Sequence, residues 1–330
     1  MELTTTEIKL LHYLSDGQFH SGKQLALEFD VSRTSIWNYL KNLEKFGIDF
    51  HAVKGKGTRL AKPIELLNKQ LILERLTPGA SIFLNQLDLL NSLPSTNKYL
   101  VQKNQSQKLE NGMVCIAEMQ TSGKGRLGRD WISPFAQNLY LSFLWNFKTG
   151  IGALSGLSLA CGLAVCHALK NIGLEGHELK WPNDILFEGK KLAGILVEIQ
   201  GESQDEYTAV VGVGINCNMT AQEAKKIEQP WTDIKAIMSE KPFSRNALAS
   251  ELISQVLKML SAFESEGLKP LLPQWDKYDA CKDKEVRIIS GASSCLGVAK
   301  GVTELGELKL LNSRGDVERI TSGEVSLRLE

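Results

Sequence analysis

Apolar residues in the first 62 positions recur at helical spacing in three short runs. Their members are Ile8, Leu11 and Leu14, then Leu25 and Phe29, then Ile36, Leu40 and Leu43. Residues three, four or seven apart share one face of an α-helix, so each run predicts a short amphipathic helix. Thr4-x-x-Glu7 and Ser21-x-x-Gln24 match the capping box, and Ser32 is a candidate N-cap for the third helix.

A basic, glycine-containing turn follows the third helix. Gly47 is a natural end for that helix, and FHAVKGKGTRL (50–60) predicts two short strands around a turn at residues 54–57. Three helices followed by a hairpin are typical of a winged helix-turn-helix. We therefore predict such a domain over residues 1–62.

The second half of this domain is basic on balance. Between Val31 and Lys62, seven Lys and Arg residues stand against Glu44 and Asp49, a local excess of five. A winged helix lays its third helix in the major groove and its wing against phosphates. The candidate DNA contacts are Ser32, Arg33, Thr34, Ser35, Asn38 and Lys41 on the helix, and Lys54, Lys56 and Arg59 in the wing. The alternative is a small protein-docking domain with solvated lysines.

The hydrophobic pattern changes twice after residue 62. Residues 63–80 begin at Pro63, carry some helical pattern and are predicted to be a linker. From 81 to 272, strand-like runs such as MVCIAEMQ (113–120) alternate with helix-like runs, which predicts one α/β domain. From 273 to 330, five short strand-like runs at close spacing predict a small β-barrel. The fold class is therefore α+β and multidomain.

Composition limits the possible partners. The 330 residues carry 38 basic and 38 acidic side chains, so no net charge attracts a polyanion to the whole molecule. None of the six cysteines forms C-x-x-C and the five histidines do not cluster near them, so we expect no fixed protein metal site and a reducing cytoplasm. The start MELTTTEIKLLHYL lacks a signal-peptide pattern. The run at 151–169 is long enough to span a membrane, but its serines, glycines and histidine favour a buried helix, so no membrane partner is expected.

The segment TSGKGRLGRDW (121–131) mixes three glycines with three cations. These are Gly123, Gly125 and Gly128, and Lys124, Arg126 and Arg129. A dinucleotide-binding turn would open a helix, but Pro134 argues against one, and the chain contains no P-loop pattern. The glycines therefore predict a loop whose backbone approaches an anionic ligand closely. A flexible basic surface loop is the alternative.

The segment ELKWPNDILFEGKKLAGILVE (178–198) predicts a tight hairpin. Its turn lies at Glu188-Gly189, so Lys191 enters the second strand beside Gly194 and across from Asp184. A lysine at the start of a strand is usually a solvated edge charge. The missing side chain at Gly194 and the opposed carboxylate indicate instead that Lys191 faces a site. A third glycine-rich strand, VVGVGIN, ends at Asn216.

Taken together, these segments resemble the biotin–protein ligases. SGKGRLGRDWISP is similar to the GRGRxGRxWxSP loop of that family, and KWPNDILFEGKKLAGILVE to its KWPND…KLAGIL segment. VGVGIN matches its GxGIN strand, and Ser95-Thr96-Asn97 matches its STN motif. The resemblance covers essentially the whole chain. It implies a class II synthetase-like central domain of mixed sheet and an SH3-like C-terminal barrel, and members with a winged helix also repress biotin synthesis genes.

The resemblance also implies a two-step reaction. Biotin and ATP, with Mg²⁺, would give biotinyl-5′-AMP and pyrophosphate, and a lysine of the biotin carboxyl carrier protein of acetyl-CoA carboxylase would then take the biotinyl group. Operator DNA and a ligand-promoted homodimer are the other implied partners. In the first step a carboxylate meets an α-phosphate, and two such anions repel by roughly 4 kcal/mol when about 4 Å apart at an effective dielectric of about 20. That energy equals about three decades of rate, so neutralising cations matter.

Residue roles follow from the matched motifs. The catalytic cations would be Lys191, Arg126 and Arg129. Biotin would be bound by Ser95, Thr96, Asn97, Gln120, Gly123, Lys124, Gly125, Arg126, Trp131, Lys191 and Gly194. The nucleotide would be bound by Arg126, Arg129, Trp131, Asn183, Asp184, Asn216 and Arg328, with Mg²⁺ near Asp184. The family loop usually begins Gly-Arg-Gly-Arg, so Lys124 keeps the charge but loses the bidentate fork, which bears on how tightly the intermediate is held.

Two other functions stay open at this point. A lipoyl-protein ligase has a similar fold and also carries an NDI…GKK segment, but the GKGRLGR loop and the DNA-binding front disfavour it. A transcription factor that senses biotin without catalysis is disfavoured by the presence of Lys191, Arg126 and Arg129.

Overall fold

Three capped helices open the chain. The computed structural model describes residues 3–201, 206–239, 241–291, 293–323 and 325–329. The helices are α1 (Thr5–Leu14), α2 (Gly22–Glu28) and α3 (Arg33–Lys45). Thr4 and Glu7 form the predicted capping box, with the Thr4 backbone N–H 2.7 Å from Glu7 Oε2. Ser21 and Ser32 cap α2 and α3 through their hydroxyls, so the predicted helix starts are confirmed.

The predicted wing follows as an antiparallel hairpin. Strands β1 (Phe50–Val53) and β2 (Gly57–Leu60) pair from Phe50–Leu60 to Val53–Gly57. Gly57 has φ 107°, and a Cβ there would lie 2.1 Å from the carbonyl oxygen of His20. His20 and Thr58 exchange two backbone hydrogen bonds of 2.9 Å. The glycine therefore lets the wing join the segment before α2, and the winged helix is confirmed.

The winged helix packs against the central part of the chain. Its core contains Leu10, Leu14, Ile36 and Leu43, and this cluster also includes Phe135 and Ala136. Both follow the predicted glycine loop closely, and the Phe135 ring lies edge-on to Phe46 with centroids 6.3 Å apart. The front domain is therefore docked where the glycine loop returns to the sheet.

The segment after the wing is tied down by hydrogen bonds. It contains the short helices α4 (Lys69–Glu74) and α5 (Pro78–Ser81). The Leu67 backbone N–H donates to Glu118, which also forms a buried ion pair with Arg245. Burial raises the pKa of Glu118, and Arg245 opposes that effect. The linker bounds of 63–80, like the domain bounds 81–272 and 273–330, stay predictions.

A seven-stranded mixed sheet forms the centre. Its strands are β3 (Gln86–Leu90), β4 (Met113–Ala117), β5 (Leu139–Phe147), β6 (His177–Lys180), β7 (Asp184–Phe187), β8 (Lys190–Gln200) and β9 (Tyr207–Ile215). Their order is β3-β4-β5-β9-β8-β7-β6, and β3–β4 is the parallel pair. All neighbouring strands beyond that pair are antiparallel. The predicted mixed α/β layer is confirmed.

Helices cover both faces of this sheet. Val114 and Ile116 pack with α7 (Leu157–Asn171) and α10 (Arg245–Glu266), whereas Met113 and Cys115 pack with α6 (Thr96–Ser106). This alternation follows from the two-residue period of a strand. The shorter helices are α8 (Ala221–Ala224), α9 (Ile234–Met238) and α11 (Leu272–Tyr278).

The apolar run that contains α7 lies in the core. Residues 151–171 are, by length and composition, the one candidate membrane span in the described chain. Eleven of the fifteen α7 residues are buried, and they pack between the sheet and α10. The predicted buried helix is confirmed.

Five short strands end the chain, as predicted. They are β10 (Glu285–Ser290), β11 (Ser293–Val302), β12 (Leu308–Leu311), β13 (Val317–Ile320) and β14 (Val325–Leu329), in the order β13-β12-β11-β10-β14. All their pairings are antiparallel, and the described residues show no pairing between the edge strands β13 and β14. Apolar side chains of this C-terminal sheet join the main core, which fixes it beside the central sheet.

Candidate functional site

One cavity collects the predicted ligand residues. Its volume is about 740 Å³, and its walls come from the glycine loop, the middle of β8 and β9, the start of α6, the 181–184 turn and β14. The predicted residues that line it are Ser95, Thr96, Asn97, Gln120, Lys124, Gly125, Arg126, Arg129, Trp131, Asn183, Asp184, Lys191, Gly194, Asn216 and Arg328. Gly123 lies outside the lining. It is buried beneath the loop, where a Cβ would lie 2.6 Å from Ser133 Oγ.

Lys191 reaches the cavity from the start of β8. The turn before it has φ 49° at Glu188 and 73° at Gly189, as a two-residue hairpin of this twist requires. Lys191 Nζ lies 2.8 Å from Asp184 Oδ1 and 5.2 Å from the centroid of the Trp131 ring. The side chains of Lys191 and Asp184 are 16% and 19% exposed. The ammonium group is thus held by a carboxylate and an aromatic face, largely out of water.

Glycines in β8 and β9 make room for larger side chains. Gly194 and Gly214 are register partners, and a Cβ on Gly214 would lie 2.6 Å from Trp131 Cε2. A Cβ on Gly194 would lie 3.1 Å from Trp131 Cζ3. A Cβ on Gly212 would lie 2.4 Å from Asn97 Oδ1. The sheet floor is therefore free of side chains where Trp131 and Asn97 lie.

A polar network surrounds the start of α6. Gln120 Oε1 accepts from the Thr96 backbone N–H at 2.9 Å and from the Thr96 hydroxyl at 3.1 Å. Ser142 Oγ lies 2.7 Å from Thr96 Oγ1 and 2.6 Å from Asn97 Oδ1. Asn97 Nδ2 donates to Glu198 Oε2 at 2.6 Å. Sequence reasoning missed Ser142 and Glu198, although a serine in the largely apolar segment NLYLSFLW was a usable pattern.

The glycine loop is a small hairpin. The Gly125 N–H donates to the Arg129 carbonyl at 2.7 Å, and the Trp131 N–H donates to the Gly123 carbonyl at 2.9 Å. Lys124 and Asp130 form an ion pair of 2.7 Å across the hairpin. A single 3-10 turn at Arg126–Gly128 is the only helical piece of this loop, so the absence of a helix after the glycines is as predicted.

Arg126 joins the loop to the C-terminal sheet. Its guanidinium donates to the carbonyl oxygens of Ser322, Gly323 and Val325 and, at 3.4 Å, to Asn183 Oδ1. Burial lowers the pKa of Arg126, and the Asp184 carboxylate opposes that effect. The arginine therefore lies between the loop, the 181–184 turn and the segment that leads into β14.

The sequence matches two protein families and several named proteins. Residues 89–216 match the biotin/lipoate A/B protein ligase family, and residues 6–59 match an HTH domain family. The chain is 38% identical over 328 residues to the bifunctional ligase/repressor BirA of Escherichia coli (strain K12), which covers 99% of both chains. The bifunctional ligase/repressor BirA of Bacillus subtilis (strain 168) is 27% identical over 94% of both chains.

A solved structure of a biotin protein ligase has a similar fold. The biotin protein ligase from Aquifex aeolicus in complex with biotin and ATP matches with a TM-score of 0.63 at 30% identity, over 74% of this chain and 100% of that chain. The chain belongs to the biotin protein ligase family. The resemblance to this family that the sequence motifs indicated is therefore confirmed, and the HTH match at residues 6–59 stands in front of the ligase match.

Asn216 and Lys180 also line the cavity of this biotin protein ligase family member. Asn216 is buried, and its Nδ2 donates to the Thr232 carbonyl at 3.1 Å and the Lys191 carbonyl at 3.4 Å. It therefore also fixes the backbone at Lys191. Lys180 faces Asp184 across the β6–β7 pair and lines the cavity, and burial lowers its pKa. Lys180 stands inside the KWPND segment but was not singled out from the sequence.

No cluster of three His, Cys, Asp or Glu side chains suited to a metal occurs in the described part of the chain. Asp184 is a partly buried carboxylate in the cavity wall. Mg²⁺ is commonly held by one or two carboxylates together with substrate phosphates. Asp184 fits that limited role.

The winged helix exposes most of its predicted DNA contacts to solvent. The exposed ones are Ser32, Arg33, Thr34, Asn38, Lys41, Lys54 and Lys56. Ser35 is half-buried, and its backbone N–H donates to the Ser32 hydroxyl. Arg59 is also half-buried, with its guanidinium carbon 5.1 Å from the centroid of the Phe19 ring. Trp37, which the sequence analysis passed over, is 59% exposed on the same helix.

Proposed function

We propose that this protein is a bifunctional biotin–protein ligase and biotin-responsive repressor. As the ligase, it activates biotin with ATP and transfers it to a lysine of a biotin carboxyl carrier protein. The observation that carries the proposal is the convergence of Lys191, Arg126 and Arg129 on one cavity that Trp131 and the α6 polar network also line. Relatives named bifunctional ligase/repressor match nearly the whole chain.

Adenylation requires two anions to meet. The biotin carboxylate attacks the α-phosphorus of ATP, a C–O–P link forms and pyrophosphate leaves. Lys191 neutralises the carboxylate and then the oxygens of the acyl phosphate. Arg126, Arg129 and the glycine-loop amides hold the phosphate oxygens, because prearranged donors stabilise charge most effectively where water is excluded. When bound with ATP, Mg²⁺ offsets phosphate charge, and Asp184 is the carboxylate that would hold it.

The apolar and polar parts of the cavity fit the two ends of biotin. Thr96, Asn97 and Gln120, together with Ser95, offer hydroxyl and amide groups for the ureido ring. Trp131 walls the ligand between this network and Lys191. Buried amide and hydroxyl groups that already pair with one another are held in fixed directions, which favours selective binding of one ring.

Transfer completes the reaction. The neutral Nζ of a carrier lysine attacks the carbonyl carbon of biotinyl-5′-AMP, an amide bond forms and AMP leaves with the bonding electrons. The carrier is the biotin carboxyl carrier subunit of acetyl-CoA carboxylase. The lysine must reach the cavity mouth beside the glycine loop, where Lys124 and Arg129 are exposed.

The winged helix supplies the repressor activity. The exposed cations of α3 and the wing contact operator DNA, and a ligand-promoted homodimer presents two such helices to a palindromic operator. The protein works in the cytoplasm without a membrane partner. All six cysteines are free thiols, as a reducing compartment would keep them.

The test is product analysis with the full chain. The protein is incubated with ATP, Mg²⁺ and labelled biotin, with and without an acceptor domain, and in parallel with labelled lipoate. We expect biotinyl-5′-AMP and pyrophosphate without acceptor, and label on one acceptor lysine with it. Labelling from lipoate alone would identify a lipoyl ligase, and biotin binding without adenylate would identify a sensor. Either result would contradict the proposal.

A further inference from the structure

Trp37 is an unusual side chain in the DNA-facing helix α3. It is 59% exposed, whereas Ile36 and Leu43 of the same helix are buried. It belongs neither to the core of the winged helix nor to the partly buried residues that pack on that core. Lys41 is a partner of its ring, with Nζ 5.4 Å from the ring centroid. An indole in this position adds nothing to the core of the domain.

Helical geometry places Trp37 at the centre of the polar face. Residues four apart lie nearly above one another on a helix, so Trp37 is flanked by Arg33 and Lys41. Thr34 and Asn38 are exposed on the adjoining strip. The cation–π contact with Lys41 holds the ring in this face. The indole therefore points where the helix would meet the major groove.

The chemistry of the groove offers one partner for an apolar ring. Base edges in the major groove display hydrogen-bond donors and acceptors, and thymine alone adds an apolar group, its C5-methyl. Phosphates suit Arg and Lys, which stand on either side. We infer that Trp37 is a specificity-determining residue that packs its indole on the methyl group of a thymine in the operator. This inference rests on the proposed repressor function.

The experiment removes the methyl group without changing base pairing. The full chain, with biotin, ATP and Mg²⁺, first enriches its sites from a random duplex library. Each thymine of an enriched site is then replaced by uracil, and Kd is measured by fluorescence anisotropy. For at least one thymine we expect about fourfold weaker binding of the uracil duplex, the effect of burying one methyl group. Trp37→Ala should bind the thymine and uracil duplexes equally, and Trp37→Phe should keep part of the difference.

A matched control shows whether the effect depends on the position of Trp37 or follows from the loss of any exposed apolar side chain. Leu27 of α2 is 84% exposed, so Leu27→Ala removes a surface side chain of the same domain and should keep the full thymine preference. Undiminished thymine preference in Trp37→Ala would overturn the inference, and so would an equal loss of affinity on every duplex. Failure of the wild-type chain to enrich any sequence would refute the repressor function itself, and the inference with it.

Discussion

The cavity and the winged helix both gather positive side chains, but they hold them in opposite ways. In the cavity, Lys191 pairs with Asp184 and is 16% exposed, and Arg126 is bound by backbone carbonyls. In the wing, Lys54 and Lys56 are exposed, and no ion pair among the described residues involves either. The cavity thus keeps Lys191 and Arg126 in fixed places, whereas the wing leaves Lys54 and Lys56 in solvent.

This difference sets what each region can do. A sheltered cation acts on a bound anion with little screening, because water and salt are kept away. An exposed cation is screened beyond about 8 Å at physiological salt, so it serves a polyanion that offers many phosphates at contact distance. Under the proposed function, the chain therefore uses positive charge for catalysis in the cavity and for DNA binding in the wing.

Removal of residues 1–62 should have the largest effect, because it takes away the winged helix and leaves the cavity. Operator affinity should fall at least about a thousandfold, to the level without specific contacts. Adenylation should fall by less than about tenfold, because none of these residues lines the ligand cavity. The small loss would come from exposing Phe135 and Ala136, which pack in the winged-helix core and follow the glycine loop. Anisotropy and pyrophosphate release measure the two activities. A folded truncated protein without adenylation would show that the front is not separable.

Gly214→Ala should have the second largest effect, a loss of biotin affinity. Its Cβ would lie 2.6 Å from the Trp131 ring, and overpacking of this kind costs about 1–3 kcal/mol. Biotin affinity, measured by calorimetry, should therefore fall about tenfold to a hundredfold. Gly194→Ala is the matched control, since its Cβ would lie 3.1 Å from the same ring and the effect should be smaller. The reverse order would show that Trp131 does not wall in the ligand.

The double variant Lys54→Ala, Lys56→Ala tests whether the exposed wing lysines bind DNA through its phosphates. DNA affinity should fall about tenfold on all sequences alike, and the slope of log K against log salt should shrink by about two, one per lost phosphate contact. Titrations at several salt concentrations measure both quantities. Adenylation should not change. A sequence-dependent loss would mean that the wing reads bases.

Lys124→Arg should have the smallest effect. Lys124 pairs with Asp130 at 2.7 Å, but the two side chains are 52% and 75% exposed, so the pair contributes little. Arginine adds a second parallel hydrogen bond to an anion, which should slow release of biotinyl-5′-AMP about threefold. Retention of the adenylate on a desalting column over time measures this. Faster release from the variant would contradict that role.

Local patterns in the sequence were enough for much of the fold. The Thr4, Ser21 and Ser32 caps, the Glu188-Gly189 turn and the buried run that forms α7 depend on neighbouring residues, and all appear as predicted. Contacts between segments that are distant in sequence could not be predicted from such local patterns. Three contacts join parts of the chain that only the tertiary fold brings together. They are the Glu118–Arg245 ion pair, the hydrogen bonds of Arg126 to the carbonyls of Ser322, Gly323 and Val325, and the packing of Phe135 in the winged-helix core.

The candidate site was predictable where a motif marks it. Lys191 and Asp184 were placed across one hairpin, and they form an ion pair there. Ser142 and Glu198 were missed because neither belongs to a recognised motif, and their bonds to Asn97 arise only when β5 and β8 pack near α6. Trp37 was missed because an apolar residue on a helix suggests burial, and exposure depends on what packs against it.

The most direct test of the charge-neutralising role is Lys191→Ala, with Lys190→Ala as the matched control. Lys190 is the exposed neighbour at the start of the same strand. Rapid-quench kinetics give the rate of biotinyl-5′-AMP formation, and calorimetry gives the biotin Kd. We expect Lys191→Ala to slow adenylation about a thousandfold, with only a few-fold loss of biotin affinity, because two anions then meet without the ammonium group. Lys190→Ala should change neither. Equal losses of rate and affinity in Lys191→Ala would contradict the neutralising role.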